Sequence, residues 1–162
     1  MGKSTVNVAV LKSRGIKDLK RVLLPYRGGP HGRACLELAR DLMRASDAQL
    51  TVIKVLPKGG VKRETEALQE VLKQDTEEFQ DRIKIRVFKD KDIVGRIAEE
   101  SKGYDLVMVG ASSEWKLKRS LFGSIPDGTA NKAHCSVLMV KGVEPKKPSL
   151  ISRFMSKLGL IK

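Results

Sequence analysis

Four short, mostly apolar runs constrain this chain more than anything else in it. They are Arg21 to Tyr26 (RVLLPY), Leu50 to Leu56 (LTVIKVL), Asp105 to Val109 (DLVMV) and Ser136 to Val140 (SVLMV). Each is too short for a buried helix and lacks the alternation of a half-exposed strand, so each reads as a strand buried on both faces. Between them the period changes to that of a helix. Arg33 to Arg44 repeats Ala34, Leu36, Leu38, Ala39, Leu42 and Met43, and Lys62 to Glu78 gathers Ala67, Leu68, Val71 and Leu72 on one side. Asp92 is placed to cap a helix that turns Ile93, Val94, Ile97 and Ala98 inward. Ser124 to Ala133 reads as one more helix, and the alternating Ile83 to Phe88 (IKIRVF) as a half-exposed or edge strand. Strands and helices alternating at this pitch require βαβ units, and right-handed crossovers place helices on both faces of a parallel sheet. The expectation is a doubly wound α/β domain in three layers over residues 18–142. Before it, residues 1–17 form a basic lead-in or, through the alternating Val6, Val8 and Val10, an extra edge strand. After it, residues 143–162 form a basic amphipathic tail.

A chain of 162 residues suits a single domain with a real core. No apolar run reaches the length of a membrane span, and the first residues lack the apolar core of a signal peptide. The reading is a cytoplasmic protein. Cys35 and Cys135 stand far apart, with no CxxC or Cys/His cluster, so the expectation is two reduced, buried thiols and no metal site. The formal charge of +13 favours anionic partners. The basic stretches carry almost no aromatics, which argues against nucleic acid. In the tail, Ile151, Phe154, Met155 and Leu158 recur at helical spacing with Arg153 and Lys157 between them. Such a helix packs on its own domain or across a dimer; an anionic membrane surface is the alternative partner.

Open parallel sheets bind ligands at the carboxyl ends of their strands. Two loops of unusual composition leave such ends, Tyr26 to His31 and Gly110 to Ser124. Gly110 directly follows a strand, where the absence of a Cβ lets a ligand approach the backbone. Gly123-Ser124 opens a helix, and free N–H groups with the helix dipole favour an anion there. Ser124 is positioned to cap that helix or to offer its hydroxyl to a phosphate. Lys116, Lys118 and Arg119 add charge nearby. The loop is not a Walker loop, because Gly-Lys-Ser/Thr is missing at the required spacing. No catalytic residue is assigned. His31 reads as a solvent-facing helix-start histidine with a phosphate contact as its alternative role. His134-Cys135 leads into a buried strand without the geometry of a nucleophile pair, and Trp115 reads as a loop anchor or dimer contact.

The spacing Gly110-x2-Ser113-x9-Gly123-Ser124, followed by AHCSVLMV, resembles the universal stress protein family. The RVLLPY strand, the DIVGRIAEE helix and YDLVMVG extend the likeness from about Lys17 to Lys141. The resemblance implies a five-stranded parallel sheet of order 3-2-1-4-5, a homodimer paired through its last strand, and ATP or another adenine nucleotide lying across the carboxyl ends of the first and fourth strands. Magnesium is a candidate companion of ATP. By position, Pro25 and Tyr26 would flank the nucleoside, Val55 would touch the base, Gly110 and Ser113 would face ribose and phosphates, and Gly123, Ser124 and Ile125 would close on the phosphates. Two positions depart from the family pattern. Ser113 stands where binding members carry glycine, and Arg27 where they carry an acid. The Gly28 to His31 segment is similar to domains associated with amino-acid permeases and other membrane transporters. The implied function is a non-enzymatic stress-response domain that binds an adenine nucleotide or related phosphate ligand and regulates a transporter. Slow ATP hydrolysis is the enzymatic alternative, and a dimeric interaction scaffold with a degenerate site the other.

Overall fold

The computed structural model describes residues 6–112 and 122–143. The elements follow the apolar pattern. They are β1 (Val8–Lys12), β2 (Arg21–Pro25), α1 (Gly29–Ala45), β3 (Gln49–Leu56), α2 (Val61–Thr76), a 3₁₀ segment (Glu77–Arg82), β4 (Ile83–Lys89), α3 (Ile93–Glu100), β5 (Leu106–Gly110), α4 (Ser124–Lys132) and β6 (Ser136–Lys141). Strand side chains alternate between two cores. Val22, Leu24, Leu50, Val52, Leu106 and Met108 face α1 and α2 with Ala39, Met43, Leu68 and Leu72. Leu23, Ile53, Val107, Val109 and Val137 face α3 and α4 with Ile97 and Ala130. Burial on both faces explains why these strands are continuously apolar rather than alternating. β4, at one edge, alternates half-buried and exposed positions, as its sequence predicts.

The sheet corrects the expectation of five strands in the order 3-2-1-4-5. It has six strands in the order β1-β6-β5-β2-β3-β4. The difference lies at one edge. β2 to β6 pair in parallel, whereas β1 lies antiparallel on β6, with Val8 opposite Lys141 and Lys12 opposite Val137. Val8 and Val10 thus belong to an added strand, which Val6 precedes, and β6 is an interior strand. Pairing two copies through β6 would require β1 to leave.

Side chains fasten this strand to the domain. The Arg14 backbone N–H donates to Ser136 Oγ at 2.8 Å, and its guanidinium donates to the carbonyls of Ala130 at 3.1 Å and Asn131 at 3.4 Å. Those carbonyls end α4, where a cation suits the helix dipole. Val143 N–H donates to Asn7 Oδ1 at 2.9 Å. At the opposite edge Arg82 reaches the carbonyls of Met43, Ser46 and Ala48 and closes the end of α1 while lying over the Phe79 ring.

Cys35 and Cys135 are free and buried. Burial pushes the Cys35 thiol up to about 12. Burial and the nearby Asp105 carboxylate push Cys135 up to about 11. Neither thiol is a thiolate at neutral pH, so a disulfide reagent such as DTNB is expected to leave both unreacted in the folded protein and to titrate both in denaturant. Removing residues 1–14 bares the β6 edge. The truncated chain is expected to melt at lower temperature and to show a larger apparent mass by light scattering as its concentration rises, whereas the full chain holds its mass. Arg14→Ala, which loses only the α4 contacts, is expected to cost about 1 kcal/mol in urea unfolding.

Candidate functional site

The carboxyl ends of β2, β3 and β5 open onto one cleft of about 260 Å³, near the lower end of the range of ligand pockets. One wall is apolar. Ile53 and Val55 come from β3, Ile93 and Ile97 from the start of α3, Val109 from β5, and Ile125 and Pro126 from the start of α4. The other wall is backbone-rich. It runs from Pro25 and Tyr26 through Arg27, Gly28 and Gly29 into the first turn of α1, and meets Gly110, Ala111 and Ser112 leaving β5.

Local sequence explains how each part is held. Tyr26 N–H donates to the Ile53 carbonyl at 2.8 Å and carries the β2–β3 ladder past Pro25. The chain then turns through Gly28 into α1, whose N-cap receives no side-chain hydrogen bond and whose first turn holds no acid. Pro30 sits in that first turn, where its missing N–H costs nothing. α1 therefore begins just ahead of Pro30, in line with His31 as a helix-start residue. Ala111 N–H donates to the Val140 carbonyl and Ser112 N–H to the Phe122 carbonyl, both at 2.8 Å, so the two ends of the 113–121 segment meet at the cleft. Gly123, at φ 106°, is the N-cap of α4 and again no side chain caps it. Ser124 is the first helical residue rather than the cap, a correction to its expected role. The start of α3 differs: Asp92 Oδ1 accepts from Gly95 N–H at 2.8 Å.

Gly110 is glycine for a reason other than ligand access. A Cβ there would stand 2.9 Å from the His31 carbonyl carbon and 3.1 Å from the Gly32 nitrogen, so the α1 backbone itself occupies the space. His31 also departs from expectation. It is buried, 5% exposed, rather than solvent-facing. Its Nδ1 accepts the Gly142 N–H at 3.1 Å, which in the neutral ring leaves the proton on Nε2. The Cβ that Gly142 lacks would stand 2.5 Å from the Pro30 carbonyl oxygen. The first turn of α1 is thus clamped between the ends of β5 and β6.

The structure brings Pro25, Tyr26, Arg27, Val55, Gly110 and Ile125 of the predicted set to the cleft wall. Gly123 and Ser124 sit beside it at the α4 start but are not part of its lining. Ser113, Trp115, Lys116, Lys118, Arg119 and the tail with Phe154 and Leu158 lie outside the described residues. Sequence reasoning missed Ser112, Ala111, Pro126 and the cleft role of Ile93 and Ile97. Ser112 and Ala111 were within reach, because they directly follow a strand end. Ile93 and Ile97 read as ordinary core residues, and nothing local distinguishes a core face from a cleft wall.

Arg27 is the one formally charged side chain among the described residues of the wall, which contains no carboxylate. Ser112 Oγ is buried and has no hydrogen-bond partner among the described residues. Among them, too, no group of three or more His, Cys, Asp or Glu side chains could hold a metal ion, and no helix is long and apolar enough to cross a membrane. The arrangement suits an elongated ligand with an apolar, planar end and an anionic end.

Comparison with known proteins identifies the family and the fold. The model of the universal stress protein family matches residues 18–141. A universal stress protein of Methanocaldococcus jannaschii is 30% identical over 125 residues, which are 76% of this chain and 61% of that protein. The chain thus spans less than two thirds of that relative. The crystal structure of a universal stress protein from Archaeoglobus fulgidus superposes with a TM-score of 0.61 at 19% identity, covering 87% of this chain and 51% of that one. A universal stress protein from Archaeoglobus fulgidus in complex with dAMP gives 0.55 at 15% identity, covering 76% and 98%. At these identities the two structures speak for the fold.

Gly110→Ala is expected to destabilise the protein by about 1–3 kcal/mol, because the new methyl meets backbone that must move. His31→Ala, which leaves the Gly142 N–H without its acceptor, is expected to cost a similar ~1–3 kcal/mol. Urea unfolding checks both; values within 0.3 kcal/mol of the parent, roughly the additivity error, would contradict the clamp.

Proposed function

The chain belongs to the universal stress protein family, and from that premise we propose that it binds an adenine nucleotide or a closely related phosphate ligand in the cleft at the carboxyl ends of β2, β3 and β5. The observation that carries this reading is the division of the cleft into an apolar wall and a donor-rich wall. The base lies against Val55, Ile93 and Ile97, where burial of a flat apolar surface contributes most. The phosphate lies toward Gly110, Ser112 and the starts of α1 and α4, whose first-turn N–H groups lack partners within their own helices. The dAMP complex of a family relative with the same fold supports an adenine nucleotide as the ligand.

The domain acts by binding rather than by turnover. The described wall has no carboxylate to activate water or hold a metal, which phosphoryl transfer ordinarily needs. Magnesium, where it accompanies ATP, would be carried by the phosphates. The bound state is then a signal read by a partner in the cytoplasm. The Gly28 to His31 segment suggests a membrane transporter as that partner; a second copy, which the family pattern suggests, would pair through a surface other than the β6 edge that β1 covers.

Titration calorimetry with ATP, ADP, AMP and cyclic AMP tests the binding. At least one is expected to bind, and at a hundredfold excess over Kd to stabilise the fold by about 2.7 kcal/mol. Val55→Glu, which puts a charge in the apolar wall, is expected to abolish the heat while leaving the circular dichroism spectrum intact. Absence of heat and of any thermal shift with all four ligands at millimolar concentration overturns the reading.

A further inference from the structure

We propose that Arg27 is the specificity-determining residue of the cleft, selecting nucleoside phosphates over nucleosides by pairing with the phosphate. The inference rests on the binding reading above and narrows it. Arg27 lies on the short turn between the end of β2 and the start of α1. It is exposed, lines the cleft, and makes no ion pair or side-chain hydrogen bond among the described residues. By contrast, Arg14, Arg44, Arg82, Arg86 and Arg96 are each tied to carbonyls or carboxylates.

Everything beside Arg27 favours negative charge. The described wall carries no acid. The two residues after Arg27 are glycines, so no side chain screens the guanidinium from the first turn of α1. That turn contains no acidic residue and its cap makes no side-chain hydrogen bond. Farther along the same wall, the buried Ser112 hydroxyl lacks a partner among the described residues. A neutral nucleoside would satisfy the apolar wall and leave these donors unused. A phosphate would engage them, with the planar guanidinium fork matching two of its oxygens. An amine or other cation would be repelled.

The test measures adenosine, AMP and ADP binding to the parent, Arg27→Gln and Arg27→Lys, each at low and at high sodium chloride. The parent is expected to bind AMP and ADP more tightly than adenosine, with the difference shrinking as salt rises. Arg27→Gln is expected to weaken AMP binding on the order of tenfold, because the pair is partly solvated. Its adenosine affinity and melting temperature should match the parent. Arg27→Lys should recover part of the loss, since it keeps the charge and loses the fork. Equal AMP affinity in the parent and Arg27→Gln overturns the role of Arg27 while leaving nucleotide binding standing. An equal loss for adenosine and AMP would also overturn it, since the residue would then shape the cleft rather than read charge. No binding of any of the three to the parent defeats the binding reading itself.

Discussion

The cleft depends on how closely the first turn of α1 approaches the sheet. Two glycines at the carboxyl ends of neighbouring strands, Gly110 and Gly142, leave no Cβ between strand and helix. The His31 imidazole then bridges the gap by accepting the Gly142 N–H. Any side chain at either glycine would lift the helix start away from the strand ends, and with it the turn that carries Arg27. Removing the His31 imidazole would leave the Gly142 N–H buried without its acceptor, which costs about 1–3 kcal/mol. The clamp also sets the polarity of the cleft, because it holds a helix N-terminus over the strand ends instead of letting it tilt toward solvent.

Around that contact the site is built by contrast. The α3 start is neutralised by its own Asp92 cap and presents Ile93 and Ile97 to the cleft. The α1 and α4 starts have glycine caps that offer no side-chain acceptor. The α4 start is mixed, since Ile125 and Pro126 add to the apolar wall and its first turn carries Asp127. Only the α1 start combines a glycine cap with a first turn that holds no acid.

Much of this fold was readable before the structure. Burial on both faces made β2, β3, β5 and β6 continuously apolar, and the edge position made β4 alternate, so type and order of elements followed from period alone. The site was legible only where a residue's position in the chain implied its position in space: Pro25, Tyr26 and Gly110 end strands, and strand ends meet at the cleft. Ser124 was misread because Ser followed by helix looks like a cap, whereas Gly123 at positive φ takes that place. His31 was misread because its partner is a backbone N–H 111 residues away, a contact no local pattern encodes. The sixth strand was visible as alternating valines, but only long-range pairing decides which edge such a strand joins.

That edge is not remote from the site. α4 is a nine-residue helix, about 13 Å long at 1.5 Å per residue. Its first residues, Ile125 and Pro126, form part of the cleft wall, and its last carbonyls, at Ala130 and Asn131, are held by Arg14 beyond the end of β1. Its side packs on α3, close enough that a Cβ on Gly128 would stand 3.1 Å from Val94. A rigid element this short cannot move at one end without moving at the other. A displacement at the exposed β1 edge would therefore reach the same helix that supplies Ile125 and Pro126 to the cleft wall, so the added strand is mechanically continuous with the cleft.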